Sequence, residues 1–373
     1  MVPLLVLAVG EVVAGLTLRF NIDLLTAYPV LMIVIPGLMD LRGDVYGAIG
    51  YRLTTALHLG EVEPRFFTRF NLFNTLTGYV VSLIVSLELS ILGAVLSYVF
   101  NMAMMDPVSL LFAVTASTII VFAILNPVVT ASTITLFKKG VDPSGFVAVV
   151  VTGVGDALTP FTLLSVSLML GSLPQLVKAV FVVAVVASIG VAYTYLVRVR
   201  QERPVMENTA SSIIAASGSS LGGFIAASSL GTLAKAPEVL GVLPAFNALI
   251  GASMGHIGNI MNIELHIRGR LSHREYRRRI LVEAAATFTS VLAAYVVVLA
   301  SGSGSTWASS LMVVSLSFII VYFLSAFTTM YLTLESFKHG WDPDNIVFPL
   351  MTTFADFNGY LVVSLILGFI LGH

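Results

Sequence analysis

Two aspartates, Asp156 and Asp356, stand 200 residues apart in matching surroundings. Each follows a seven-residue signature, FKKGVDP from Phe137 to Pro143 and FKHGWDP from Phe337 to Pro343, and each is the one charge in the apolar run that comes next. An aspartate at the centre of a membrane span costs about 2.5–3.5 kcal/mol on insertion scales. Two carboxylates kept at one place in a duplicated chain therefore point to a pathway for something positively charged, more than to a hydrogen-bonded structural role.

Neighbouring residues add oxygen donors. Thr152 and Thr352 precede the aspartates by four residues, so each shares a helix face with its carboxylate. Asp40 and Asp44 are four apart on an earlier span, where Gly43, Gly47, Gly255 and Gly258 allow close backbone approach. A second echo, at an offset of 215, pairs Pro29 with Pro244, Gly43 with Gly258, Asp44 with Asn259 and His58 with His273. The expected metal-handling set is thus Asp156, Asp356, Asp44, Asn259, Asp40, Thr152 and Thr352. Hard oxygen ligands with little His and no Cys favour Mg²⁺ over Zn²⁺ or Cu⁺.

The elements that position these residues must be membrane helices. The 373 residues are 57% hydrophobic and 10% charged, with mean hydropathy +0.97, which excludes a soluble domain of this size. The net charge of -1 says nothing about partners, and the absence of cysteine removes disulfides and thiolate sites. A helix of about 20 residues is needed to cross hydrocarbon roughly 30 Å thick. Dividing the apolar runs at their polar breaks predicts eleven spans, near 1–20, 24–41, 71–98, 107–136, 145–170, 174–197, 210–234, 239–262, 280–300, 307–335 and 345–371. The second and eighth are expected to extend through Arg52 and Arg268. The first carries Glu11 and no basic leader, and reads as a retained helix instead of a signal peptide.

Charge placement tests that count. Connections after even-numbered spans hold 16 of the 19 Lys and Arg, Arg42 and Arg52 among them, leaving Arg19, Lys178 and Lys235 for the other side. By the positive-inside rule the N-terminus is cytoplasmic and the C-terminus outside. Five spans reverse the chain, so a sixth restores its direction and makes the two five-helix repeats parallel about a pseudo-two-fold axis. The expected divisions are residues 1–171 for the first repeat, 172–209 for the linking helix and the linker Gln201 to Thr209, and 210–373 for the second repeat.

Several residues also have plain structural readings. Gly43 and Gly258 suit helix packing, and the FKxGxDP segments suit turns between helices. Glu11, Glu88, Glu264, Glu283 and Glu335 find no counterparts under these offsets and are expected near interfaces. His256 reads first as a packing histidine, and the Arg274 to Arg279 cluster as a topology determinant that meets anionic lipid.

TTFADFNG, from Thr352 to Gly359, resembles the Thr-Thr-x-x-Asp-x-x-Gly motif in the last pore helix of MgtE-type magnesium transporters. Pro36 with Gly43-Asp44, and Gly258-Asn259, resemble the Pro…Gly-Asn region of that family's second helix. The resemblance implies the fused form found in animal solute-carrier relatives, in which one chain is a pseudo-dimer. It further implies that Asp356 and Asp156 line the ion pathway, with Asp44 and Asn259 contributing. The first copy departs from the motif with Gly153 and Gly155, and Asp44 replaces the usual Asn.

The expectation is therefore an all-α polytopic protein of the cytoplasmic membrane that transports a divalent cation and is not an enzyme. Mg²⁺ is the first candidate, with Mn²⁺ or another divalent ion next. Membrane lipid is the expected partner, with no nucleic acid and no cofactor; Na⁺ or H⁺ coupling and homo-oligomerisation stay open. Two alternatives remain. One is a cation- or proton-coupled carrier of an organic solute. The other is an intramembrane aspartyl protease, suggested by Gly153-Val154-Gly155-Asp156, although that family's motif order is reversed here.

Overall fold

The computed structural model describes residues 2–199, 202–269, 273–302, 306–339 and 347–371. Thirteen α-helices run in order α1 (Val2–Phe20), α2 (Ile22–Ala27), α3 (Val30–His58), α4 (Arg69–Val99), α5 (Pro107–Lys138), α6 (Ser144–Met169) and α7 (Gln175–Arg198). They continue with α8 (Glu202–Ser228), α9 (Leu230–Leu233), α10 (Pro237–Arg268), α11 (His273–Ala300), α12 (Trp307–Lys338) and α13 (Val347–Leu371). Omitting the short α2 and α9 leaves eleven long helices among the described residues, in line with the eleven expected spans. Among the described residues nine are long and apolar enough to cross a membrane. The other two are α1, which carries Glu11 and Arg19, and α3, which carries Asp40, Arg42, Asp44 and Arg52.

The helix ends follow ordinary capping chemistry. Thr68 accepts the Asn71 N–H at 3.1 Å to start α4, and Asp106 accepts the Ser109 N–H at 2.9 Å to start α5, with Pro107 at the first helical position. Gly140, at φ +70°, turns the chain after α5, as expected of the first FKxGxDP segment. The second segment lies outside the described residues from Gly340 onward.

Two compact units emerge. One comprises residues 1–10 and 23–220, the other residues 11–22 and 221–373. In the first unit α3 is central and packs on α4, α5 and α6, while α7 packs on α4 and α5. Residues 30–38 are all buried. The α7 contact uses Phe181 against Phe112 and a 2.7 Å hydrogen bond between the hydroxyls of Tyr79 and Ser188. In the second unit α10 takes the central place and packs on α11, α12 and α13.

Two expectations need correction. Arg42, assigned above to a basic connection, lies inside α3 and is fully buried; the helix extends through Arg52 as expected, the Arg52 Nε donating to the Ala48 carbonyl at 3.1 Å. Both belong to the long α3 extension, which carries the helix through what the sequence marks as a polar break. The segment expected to be a linker, Gln201 to Thr209, is helical from Glu202, because nothing in it breaks a helix after Pro204 in the first turn.

Candidate functional site

Every residue singled out for metal chemistry lies among the described residues. In the first unit Asp156 is buried on α6, at 4% exposure. Thr152, one turn earlier, faces α3: a β-carbon on Gly43 would stand 3.7 Å from its hydroxyl oxygen. The small residue at 43 lets α6 approach, so its packing role and a polar surface beside it are compatible.

The carboxylates of α3 meet α8. Ser219 donates to Asp40, and Ser212 hydrogen-bonds the more accessible Asp44. Ser217 donates to Glu88 of α4 at 3.1 Å, which gives that carboxylate a partner between the helices. Three serines from one helix thus answer three carboxylates on two others. The sequence carried a signal for this in SSIIAASGSS, Ser211 to Ser220, whose small hydroxyl residues are unusual in an apolar span.

Arg42 is the residue that sequence reasoning misplaced. Its Nη2 donates to the Thr118 hydroxyl at 3.1 Å and its Nε to the Thr159 hydroxyl at 3.4 Å, and Asp156 lies close enough to attract it. Thr159 gives its own proton to the Gly155 carbonyl at 2.7 Å, which leaves an oxygen lone pair for the guanidinium. Gly155 makes room for the arginine stem: a β-carbon there would come within 3.0 Å of the Arg42 Cβ.

In the second unit Asp356 is half-buried on α13. Gly222 of α8 packs on the backbone beside it, with room for a β-carbon only 3.2 Å from the Phe357 Cα. Thr352 lies against Gly251 of α10, 3.4 Å from its methyl to where a β-carbon would be, and Gly258 meets Val347 instead. Asn259 is exposed. His256 is exposed as well and pairs with Glu283 at 3.1 Å, so it is not a packing histidine. Glu264 pairs with Arg268 at 3.3 Å and Glu335 with Lys338 at 2.7 Å, both toward helix ends.

These contacts fix the true register between copies. His58 stands edge-on to Phe137, 5.1 Å between centroids, and donates from Nδ1 to the Thr54 carbonyl; His266 stands edge-on to Phe337, at 5.2 Å, and donates to the Asn262 carbonyl. His58 therefore corresponds to His266, an offset of 208. That offset also pairs Pro36 with Pro244, Gly43 with Gly251, Gly47 with Gly255 and Gly50 with Gly258.

A family model, described as MgtE, divalent cation transporter, matches residues 35–166 and again 243–366. The chain belongs to the MgtE family. Its two matched segments start 208 residues apart and end 200 apart, the displacements that the histidine and phenylalanine pairs require. No curated protein and no solved structure matches the chain.

Membership makes this multi-pass membrane protein a divalent cation transporter by family, in keeping with the fused two-repeat MgtE form expected from its sequence. The register carries a correction. The 215 offset is seven residues too long, and seven residues are nearly two helical turns, so the false pairing kept each residue on its proper face. Asp44 corresponds to Ala252 and Asn259 to Tyr51, so Asp44 and Asn259 are not counterparts of one another. Asp156 and Asp356, with Thr152 and Thr352, keep their correspondence at 200.

Proposed function

We propose that this MgtE-family chain carries Mg²⁺ across the cytoplasmic membrane, with Asp156 and Asp356 supplying the negative charge of a pathway at the pseudo-two-fold axis of its repeats. The observation that carries this reading is the retention of one aspartate, four residues after a threonine, at the same place in both family-matched segments. Mg²⁺ gives up water reluctantly and is usually held through one or two carboxylates with several waters kept. A set of aspartates and hydroxyls suits that partly hydrated ion. Thr152 and Thr352 offer oxygens one turn from the carboxylates, and Asp40 and Asp44 add charge on α3.

The division into residues 1–171, 172–209 and 210–373, with a cytoplasmic N-terminus and an external C-terminus, belongs to the same proposal. Its support is the two-fold sequence match and the bias of basic residues toward one set of connections. Transport, not catalysis, is the role assigned to the aspartates.

The test is Mg²⁺ flux into proteoliposomes by the purified protein and by Asp156→Asn, Asp356→Asn and the double variant. Each single variant is expected to lose most of the flux while staying folded enough to reconstitute. Wild-type flux in the double variant would overturn the assignment.

A further inference from the structure

The two aspartates occupy one position in the repeats, yet their surroundings differ in a concerted way. In the first repeat Arg42 reaches Thr118 and Thr159, lies over Gly155, and stands within electrostatic reach of Asp156. At the offsets of 208 and 200, the second repeat replaces Arg42 by Ile250, Thr118 by Phe318, Gly155 by Ala355 and Thr159 by Gly359. The substituents are coherent. Phe318 and Ala355 are buried in the second unit, and Phe318 stacks with Tyr322 at 5.1 Å between centroids. Both hydroxyl acceptors and the glycine that clears space for the arginine stem are gone, and the aspartate alone is kept.

A fully buried guanidinium is costly to desolvate and persists where a carboxylate and hydrogen-bond acceptors compensate it. Arg42 has the acceptors in Thr118 and Thr159, and the carboxylate nearby in Asp156. The seat spans the aspartate: the arginine stem rests on the residue before it, and Nε bonds the residue three after it. A resident charge there also repels any dication that approaches the same carboxylate.

We propose that Arg42 is a built-in counter-cation for Asp156, so that the two repeats have divided labour: Asp156 is charge-compensated by the buried guanidinium seated on its flanking residues, and Asp356 is the carboxylate that meets the transported dication. Arg42 is a positioning residue in this scheme. The inference rests on the proposed transport reading, keeps Asp356 in it, and moves Asp156 from facing the ion to balancing Arg42. Asp156→Asn impairs transport because it strands the positive charge of Arg42, not because it removes an ion ligand.

The test is a double-mutant cycle on the full-length protein in proteoliposomes, reading Mg²⁺ flux and, in detergent, the thermal midpoint with and without Mg²⁺. Arg42→Met and Asp156→Asn alone are each expected to lower both the midpoint and the flux, the flux by about tenfold or more, since each leaves one buried charge unmatched. The double variant Arg42→Met/Asp156→Asn is expected to regain most of both. Asp356→Asn is expected to lose flux and the Mg²⁺-induced rise in midpoint, and adding Arg42→Met to it restores neither. A folded Arg42→Met/Asp156→Asn protein as inactive as Asp156→Asn would overturn the proposal by showing that Asp156 itself meets the ion. So would an Asp356→Asn protein that keeps the full Mg²⁺-induced rise, a readout that holds even if the double variant does not fold. Failure of the transport reading looks different: the wild-type protein then shows neither Mg²⁺ flux nor a Mg²⁺-induced rise.

Discussion

Gly10 and Gly153 cross with no room for a side chain between them: a β-carbon on Gly10 would lie 1.9 Å from the Gly153 carbonyl oxygen. The obstacle is backbone, which cannot swing aside as a flexible side chain can. The contact brings α1 against α6 three residues before Asp156.

Gly10→Leu is therefore expected to cost more than the roughly 1–3 kcal/mol typical of overpacking, because relief requires a helix to shift. The check is the thermal midpoint in detergent beside Gly190→Leu, where a β-carbon meets nothing within 4 Å. The Gly10 variant should fall by many degrees and the Gly190 variant by little. Equal midpoints would refute the close crossing.

The edge-on pairs His58–Phe137 and His266–Phe337 make a second expectation. Aromatic pairs contribute about 0.5–1.5 kcal/mol beyond their buried area. His58→Ala and His266→Ala should therefore destabilise to a similar degree. Denaturation of the two variants side by side decides it, and a loss confined to one of them would refute the shared role.

How far the sequence could be read follows from these residues. Helix number and most boundaries were legible, because runs of apolar residues broken by polar ones report a membrane span directly. The pairing of Asp156 with Asp356 was legible too, since FKxGxDP anchors it. The earlier helices were misregistered because Gly and Pro recur there at several spacings, and a seven-residue slip preserves the helix face. Arg42 was hidden for a different reason. In sequence it looks like one more basic residue next to a polar break, and only its burial against Thr118 and Thr159 shows it to be part of the interior. The Ser212, Ser217 and Ser219 contacts needed three helices brought together, which periodicity along one helix does not report.

Asp106 gives a pH dependence. The hydrogen bond from Gln175 holds its carboxyl below the usual carboxylate range, helped by the Ser109 N–H and hydroxyl and by nearby Lys178. A carboxyl with a depressed folded-state pKa contributes stability that is present above its unfolded value of about 3.9 and is lost as pH falls through the lower folded value. Wild type should thus exceed Asp106→Asn in thermal midpoint at neutral pH, and the gap should close as the pH drops below about 4. Since the residue also caps α5, Asp106→Ala is expected to cost about 1 kcal/mol. A gap independent of pH would remove the ionised carboxylate from the account.

Topology makes a further expectation. The basic residues assign Lys138 and Lys338, which end corresponding helices, to the cytoplasmic side. Single cysteines placed there, in a chain that has none of its own, should both resist an impermeant thiol reagent in intact cells and both react after permeabilisation. Labelling of one from outside would contradict the parallel repeats.

The most direct measurement is Mg²⁺ flux into proteoliposomes holding only this protein, with and without an imposed Na⁺ or H⁺ gradient. The account predicts Mg²⁺ movement well above that of protein-free liposomes, lost on Asp356→Asn, with any gradient dependence identifying a coupling ion. Flux no greater than in protein-free liposomes under every gradient, from a folded protein, would contradict it.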